Sequence, residues 1–353
     1  MKTDQTRMLE SALVSAKWAF STRRVQRGDA HHLQEAVEQA VSGDLVLGRV
    51  TTVGAHPRVQ LSDGRPCDLY EGDLIMVACG ARYASDQFEG IAQLSADGAD
   101  LLAGGGCLGL MREKHARMKM PTRVQPLGLL CDKQGRVMNL AHYAMPTNSY
   151  SGGMTVIGVV GASMNSGKTS AVASLVHGSE AAGYRTAAIK VTGTGSFGDW
   201  NTYVDAGASF VTDFTDAGMV STYLQPCSRL ADALEQMLAA ASEAACEVAV
   251  VEFADGVLQQ ETATLLGMED VRRHFNGFLY AAPDALAAVG GQHCLQSQGI
   301  EPAALTGLLS AAPLNVREAE AATGLRVLSR EALRDPAQAA SLLHSLQTAP
   351  VSC

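Results

Sequence analysis

The chain has 353 residues, 47% hydrophobic and 18% charged, with a formal net charge of −9. That length suggests two domains of ordinary size with buried cores, and the acidic balance argues against a general nucleic-acid binder, because a phosphate backbone would be repelled. Eight cysteines occur without a C-x-x-C pair, which reads as reduced thiols in a cytoplasmic protein rather than a disulfide framework or a zinc site. No run reaches the ~18 apolar residues of a membrane span, so no membrane partner is expected.

In chain order, residues 8–20 and 31–41 read as helices. In the second, Leu33, Ala36, Val37, Ala40 and Val41 fall at helical spacing. From Asp44 the pattern shortens. Leu45 to Val53, Arg58 to Leu61 and Leu74 to Cys79 are β-like runs, separated by turn signals such as Ser62-Asp63-Gly64. Val124 to Cys131 and Val137 to Leu140 bracket a further hairpin signal, Asp132 to Gly135. Close spacing of short strands suggests a small antiparallel sheet or barrel.

Asn148 to Gly153 is the best linker candidate and divides a β-rich (α+β) N-terminal domain, 1–150, from a C-terminal domain, 151–353. Beyond it strands are expected at 155–160, 186–191, 209–213, 247–253, 277–281, 305–310 and 325–328. Helices are expected at 168–182, 200–206, 228–245, 284–289, 316–323 and 330–346, with Gly183 as a C-terminal cap. Alternation of this kind implies a doubly wound, mostly parallel α/β sheet whose ligands bind at the carboxyl ends of the strands.

The most informative stretch is Gly161-Ala162-Ser163-Met164-Asn165-Ser166-Gly167-Lys168-Thr169. It follows the apolar run at Met154–Val160 and opens a helical pattern at Ser170. Strand, glycine loop, Lys-Thr and helix in that order describe a phosphate-binding P-loop, with backbone N–H groups and the helix N-terminus cradling phosphates. Gly161, Asn165, Ser166, Gly167, Lys168, Thr169 and Ser170, with Thr194 from a later loop, are the candidate cofactor-binding residues. Lys168 would reach the outer phosphates and the Thr169 hydroxyl would hold Mg²⁺.

Other candidates stand at strand ends. Lys190 leaves a buried strand into a loop with Thr194, Gly195 and Ser196, where a second cation would neutralise charge on a transferring phosphoryl group; the plainer alternative is a surface lysine. Asp199 is either a Mg²⁺ ligand or a helix N-cap. Glu252 ends the run Val248-Ala249-Val250-Val251 as a Walker-B-like acid. Asp255, before Gly256, either binds substrate or starts a turn, and Asp213 and Asp216 either line an acceptor pocket or form turns.

These residues carry a family resemblance. The loop Gly161–Thr169, with five residues between its glycines, resembles the extended P-loop of dethiobiotin synthetase and of related SIMIBI-class P-loop proteins. Lys190, Thr194 and Gly195 look like that enzyme's K-P-x-x-T-G segment, with Val191 in place of the proline, and Glu252 looks like its strand-end glutamate. The likeness spans about residues 154–260. Ser163 stands where that enzyme has an aspartate, and Ala162 where MinD-type ATPases have a lysine. The loop 199–208 is also similar to the accessory GTPase of molybdopterin dinucleotide synthesis. An uncharacterised group of P-loop proteins with a separate N-terminal domain, some linked to amino-acid N-acylation, is a further relative. No N-K-x-D motif occurs, which tilts the base from GTP toward ATP.

In the N-terminal domain the polar run Gly80 to Glu89 holds Arg82, a candidate carboxylate fork for a substrate; the alternative is a solvated loop. Gly104 to Gly106 reads as a lid hinge or a turn. Arg112 to Arg123 reads as an exposed basic helix face or as a reach toward phosphates.

The resulting expectation is a Mg·ATP-dependent phosphoryl-transfer enzyme, a ligase or kinase acting on a small carboxylate or amino-acid-like acceptor. Lys168, Lys190 and Glu252 would be catalytic; Thr169, Asp199 and Glu252 would hold the metal; Arg82, Asp213 and Asp255 would meet the substrate. The alternatives are an accessory NTPase acting on a protein partner and a P-loop acyltransferase using CoA. The resemblance also implies a homodimer, since the enzymes concerned build sites across subunits.

Overall fold

The computed structural model describes residues 4–348. They divide into two compact units. The first comprises the residues up to Met145 together with Thr194–Phe197 and Phe214–Leu224; the second comprises Pro146–Gly193, Gly198–Asp213 and the residues from Gln225 onward. A division at 150/151 does not anticipate the two excursions, because both sit inside the alternating α/β pattern.

In the first unit, helix α1 (Asp4–Ser15) is followed by the strands β1 (Lys17–Trp18), β2 (His32–Gln34), β3 (Leu45–Thr52), β4 (Arg58–Gln60), β5 (Pro66–Asp68) and β6 (Leu74–Cys79). Then come β7 (Arg82–Tyr83), β8 (Phe88–Ile91), β9 (Ala99–Ala103), β10 (Cys107–Lys114) and β11 (Thr122–Cys131). The antiparallel path β6-β3-β11-β9-β10 returns on itself through a parallel pairing of β10 with β6, Cys107 opposite Ala78. Five strands thus form a closed ring, which removes their free edges. Both faces of β6 and β9 and of the first half of β3 are buried. Leu45, Leu47, Met76 and Ala78 enter one apolar cluster, and Val46, Val50, Ile75 and Val77 enter another. Period-two alternation between two cores explains why β6 reads as an unbroken apolar run.

Three sequence expectations fail here. The first helix stops at Ser15 because Lys17 and Trp18 pair with Ile75 and Met76 of β6. Residues 31–41 form no helix: His32–Gln34 pairs with β11, and only Val37–Gln39 makes a 3-10 turn. A lone helix of that length is marginal in water, and the open side of β11 offers ladder hydrogen bonds instead. Arg112–Arg123 is likewise not a helix face but the end of β10, a turn and the start of β11.

The second unit contains β12 (Thr155–Gly161), α2 (Lys168–Ala181), β13 (Thr186–Lys190), α3 (Phe197–Asp205, its first residue counted with the first unit), β14 (Phe210–Asp213) and α4 (Cys227–Glu243). After these come β15 (Val248–Glu252), β16 (Gly277–Ala281) and β17 (Pro302–Thr306). The strand order is β14-β13-β15-β12-β16-β17, and every neighbouring pair is parallel. The α/β doubly wound expectation holds. β12 stands where the winding reverses: β13 and β14 lie to one side and β16 and β17 to the other. In such sheets that position opens the ligand crevice.

β12 is buried along its whole length, as a central parallel strand must be. Gly183, at φ +95°, ends α2 with its N–H on the Glu180 carbonyl, as expected of a cap. The strand expected at 305–310 is instead Pro302–Thr306 followed by a 3-10 turn, and 325–328 supplies only a single bridge, Val327 to Leu305. The helix expected at 330–346 breaks into Arg330–Arg334 and Pro336–Thr348, because the proline disfavours helical backbone at Asp335.

Candidate functional site

The site is assembled at the carboxyl ends of β12, β13 and β15. Lys168 is the first residue of α2, so the first turn's N–H groups point out of the helix without intrahelical acceptors. The loop turns sharply enough to place them there because Asn165 and Gly167 adopt left-handed backbone, at φ +62° and +101°. Gly167 has a second constraint: a Cβ there would lie 2.9 Å from Gly307 Cα. Ser166 is buried and its Oγ, which lies over Gly161, has no hydrogen-bond partner among the described residues. Ser163, Asn165 and Ser170 are exposed.

Lys168 is buried, and its Nζ donates to the carbonyls of Ser163 at 2.8 Å and Asp255 at 2.5 Å. Burial holds its pKa below the ordinary lysine value, against the pull of Glu252 and Asp255. The Asp255 carbonyl is aimed by left-handed backbone, φ +63°, a conformation Asp tolerates better than most residues. Gly256 lets this turn approach the loop, since a Cβ there would lie 2.3 Å from the Ala162 carbonyl oxygen.

Around Thr169 the oxygens converge. Its Oγ1 lies 3.1 Å from Asp199 Oδ1 and 3.3 Å from Glu252 Oε1, and its single hydrogen serves one of them at a time. Lys190 is ion-paired with Asp199 and lies 4.0 Å from Glu252 Oε1. Burial works against the Lys190 charge, but Asp199 and Glu252 outweigh it and raise the pKa; Asp199 is lowered in turn, the charge of Lys190 overcoming its own burial. Asp213, the register partner of Lys190 on β14, adds to the same field.

Sequence reasoning missed Tyr203. Its ring is fully buried on α3 and its hydroxyl donates to Glu252 Oε2. Burial first, then the Glu252 charge, pushes the phenol well above its ordinary pKa, so it stays a donor. The signal was available: Asp199 and Tyr203 are four apart and share one helix face. Tyr203→Phe is expected to lower stability by about 1–2 kcal/mol by leaving a buried carboxylate oxygen without its donor. Because Glu252 loses its fixed rotamer, Mg²⁺-dependent nucleotide affinity should fall more than Mg²⁺-independent affinity. Equal loss of both would reduce Tyr203 to a packing role.

Most of the expected residues meet here: Gly161, Ser166, Gly167, Lys168, Thr169, Lys190, Asp199 and Glu252 are brought together in the second unit. Asp199 lies inside the first turn of α3 and is not its N-cap. Asp255 contributes its carbonyl to Lys168. Thr194 clusters with the first unit, where its backbone bridges Ser221, and its assignment to phosphates is carried by the resemblance alone. Asp216 is also in the first unit, ion-paired with Arg23 at 2.8 Å and 3.8 Å from Arg24, whereas Asp213 belongs to the second. Arg82, in the first unit, is buried and already donates to the Leu102 carbonyl and, at 3.0 Å, to Gln87 Oε1.

The oxygens of Thr169, Asp199 and Glu252 form a hard donor set of the kind Mg²⁺ prefers, and two carboxylates beside a hydroxyl fit that ion. Among the described residues no cluster of three or more His, Cys, Asp or Glu side chains offers a protein-only metal cage.

No family model matches the chain, and no curated protein matches it. Among solved structures it is similar to the signal recognition particle receptor FtsY from Elizabethkingia anophelis, at 18% identity over 56% of this chain and 68% of that one, with a TM-score of 0.36. FtsY from Mycoplasma mycoides matches at 12% identity over 57% and 70%, TM-score 0.35. A DUF1611 family protein from Anabaena variabilis matches at 14% over 62% and 66%, TM-score 0.38. The fold assignment rests on the strand order and the loop geometry of this chain itself.

Proposed function

We infer that the second unit is a SIMIBI-like P-loop domain that binds the phosphates of a Mg-nucleotide and transfers the terminal phosphoryl group to a small acceptor. The observation that carries this reading is the convergence of Lys168, Thr169, Lys190, Asp199 and Glu252 at one helix N-terminus. Two cations and a helix dipole stabilise phosphate charge as it redistributes. Thr169, Asp199 and Glu252 would hold Mg²⁺, which when bound neutralises the outer phosphates. Lys168 would exchange its two carbonyl acceptors for phosphate oxygens, a charge-assisted bond in place of neutral ones. Lys190 positions Asp199 and contributes the second positive charge.

ATP is preferred over GTP on the lack of an N-K-x-D sequence. The acceptor reading, ligation or phosphorylation of a small carboxylate as in the dethiobiotin-synthetase-like enzymes, is supported by the Lys190–Gly195 and Glu252 segments. Among the described residues no helix is long and apolar enough to cross a membrane.

A second reading is an NTPase that acts on a protein partner. It is favoured by α3, which places both Asp199 and Tyr203 on the nucleotide-facing cluster and so is built to respond to the nucleotide's state. One assay separates the two: purified protein with Mg·ATP or Mg·GTP, with and without candidate carboxylates and amino acids. Acceptor-dependent ADP release supports transfer. Slow release indifferent to acceptor supports the second reading. Tight CoA binding without nucleotide turnover would overturn both.

A further inference from the structure

The first unit contains a cavity of about 740 Å³. Its wall is built from β4, the Gly104-Gly105 turn, the Arg82–Gln87 hairpin region and the segment Thr194–Phe197, all belonging to this unit. We propose that this cavity binds a small carboxylate, with the Arg58 guanidinium as its anchor.

Arg58 lines the cavity and is exposed, and its side chain makes no hydrogen bond or ion pair among the described residues. A guanidinium presents a planar fork matched to a carboxylate, and two parallel charge-assisted hydrogen bonds fix the ligand's orientation. Deeper in, Arg82 adds a second positive charge. It is held rigidly by the Leu102 carbonyl, by Gln87 Oε1 and by His56 Nε2 at 3.4 Å. The His56 Nδ1 faces the Leu101 carbonyl at 3.1 Å, which assigns it as the donor and Nε2 as the acceptor of Arg82. Burial and the Arg82 charge hold His56 down to a pKa of about 4, so it is neutral at physiological pH and takes nothing from the positive field. Asp86 also lines the wall.

The wall is preorganised. The amide of Phe197 donates to Gln60 Oε1 at 2.8 Å, and a Cβ on Gly105 would lie 1.9 Å from the Gly195 carbonyl oxygen, so only glycine admits this approach. The loop that supplies residues 194–197 begins after Lys190 and runs into Asp199. The cavity wall is therefore continuous along the chain with the residues of the ion pair in the second unit. In that respect the proposal rests on the phosphoryl-transfer reading and names its acceptor class.

Binding is read by isothermal titration calorimetry on the full chain without nucleotide, using acetate, succinate, glutamate and inorganic phosphate as probes, with Mg·ATP titrated in a separate run. At least one carboxylate should bind saturably, and Arg58→Ala should weaken it by about tenfold or more, with Arg58→Lys intermediate because one point charge replaces the fork. An unchanged thermal midpoint for Arg58→Ala verifies folding. No saturable carboxylate binding, an unweakened Arg58→Ala variant, or phosphate binding more tightly than every carboxylate would each overturn the proposal. A protein that binds Mg·ATP but no carboxylate loses only the cavity assignment; one that binds a carboxylate but no nucleotide loses the P-loop reading.

Discussion

Lys168→Ala is expected to lower nucleotide turnover by about 10²–10³-fold, the cost of removing one preorganised charge donor from a site where phosphate charge develops. The lysine emerges from the first residue of α2 and is held on the carbonyls of Ser163 and Asp255, so it is already positioned where phosphates meet the helix N-terminus. Its substitution leaves two carbonyls without that donor, at about 1–3 kcal/mol, so a thermal melt must accompany the kinetics. Lys168→Arg should not rescue, because the pocket is shaped for a compact ammonium rather than a planar fork. Burial depresses the Lys168 pKa, so nucleotide affinity in the wild type should begin to fall, as pH rises, earlier than an ordinary lysine would allow. Steady-state ADP release by a folded Lys168→Ala protein equal to that of the wild type would remove the P-loop assignment altogether.

Lys190→Met has the largest expected effect on stability. It leaves the buried Glu252 and the half-buried Asp199 without their nearest cation, with Lys168 remaining, and breaking one partner of such a group costs about 3 kcal/mol. The pH dependence fixes the cause. The Asp199 pKa is depressed in the folded state, so its contribution is present above the unperturbed 3.8 and lost as pH falls through the folded value. The Lys190 pKa is raised, so its contribution is present below the unperturbed 10.5 and lost as pH rises through the folded value. The pair therefore contributes fully between those two unperturbed values. Urea denaturation should show a wide gap between wild type and variant at pH 7 that narrows as pH falls below 3.8 and is smallest once pH has passed the depressed folded value of Asp199. A gap of the same size at both ends of that range would assign the loss to packing rather than charge. Lys190→Met combined with Asp199→Asn should recover part of the lost stability.

The Gly161–Thr169 loop, Lys190 and Glu252 were legible because each belongs to a local pattern: an apolar run that ends in a glycine loop, a lysine or an acid. The parallel order of the strands followed from alternation of short apolar runs with helical periods. Tyr203 was not legible in that way, since an aromatic residue in an amphipathic helix ordinarily reads as core, and only the packing of α3 shows its hydroxyl on Glu252. Asp216 looked like a companion of Asp213, three residues away, but the chain leaves the second unit between them and Asp216 pairs with Arg23 and Arg24. Residues 31–41 failed for a related reason: their helical spacing is a weak preference, and pairing with β11 decided the outcome.

By itself the sequence determined the phosphate-loop grammar, the doubly wound class of the second unit and the strand-end charges. These depend on residues close together in the chain, where backbone geometry and periodicity act directly. Only the tertiary structure decided the ring closure of β6 by β10, the assembly of Thr169, Asp199, Glu252 and Tyr203, and the return of residues 194–197 and 214–224 to the first unit. Those outcomes come from contacts between distant residues, whose free energy depends on burial and on neighbouring charge rather than on local propensity.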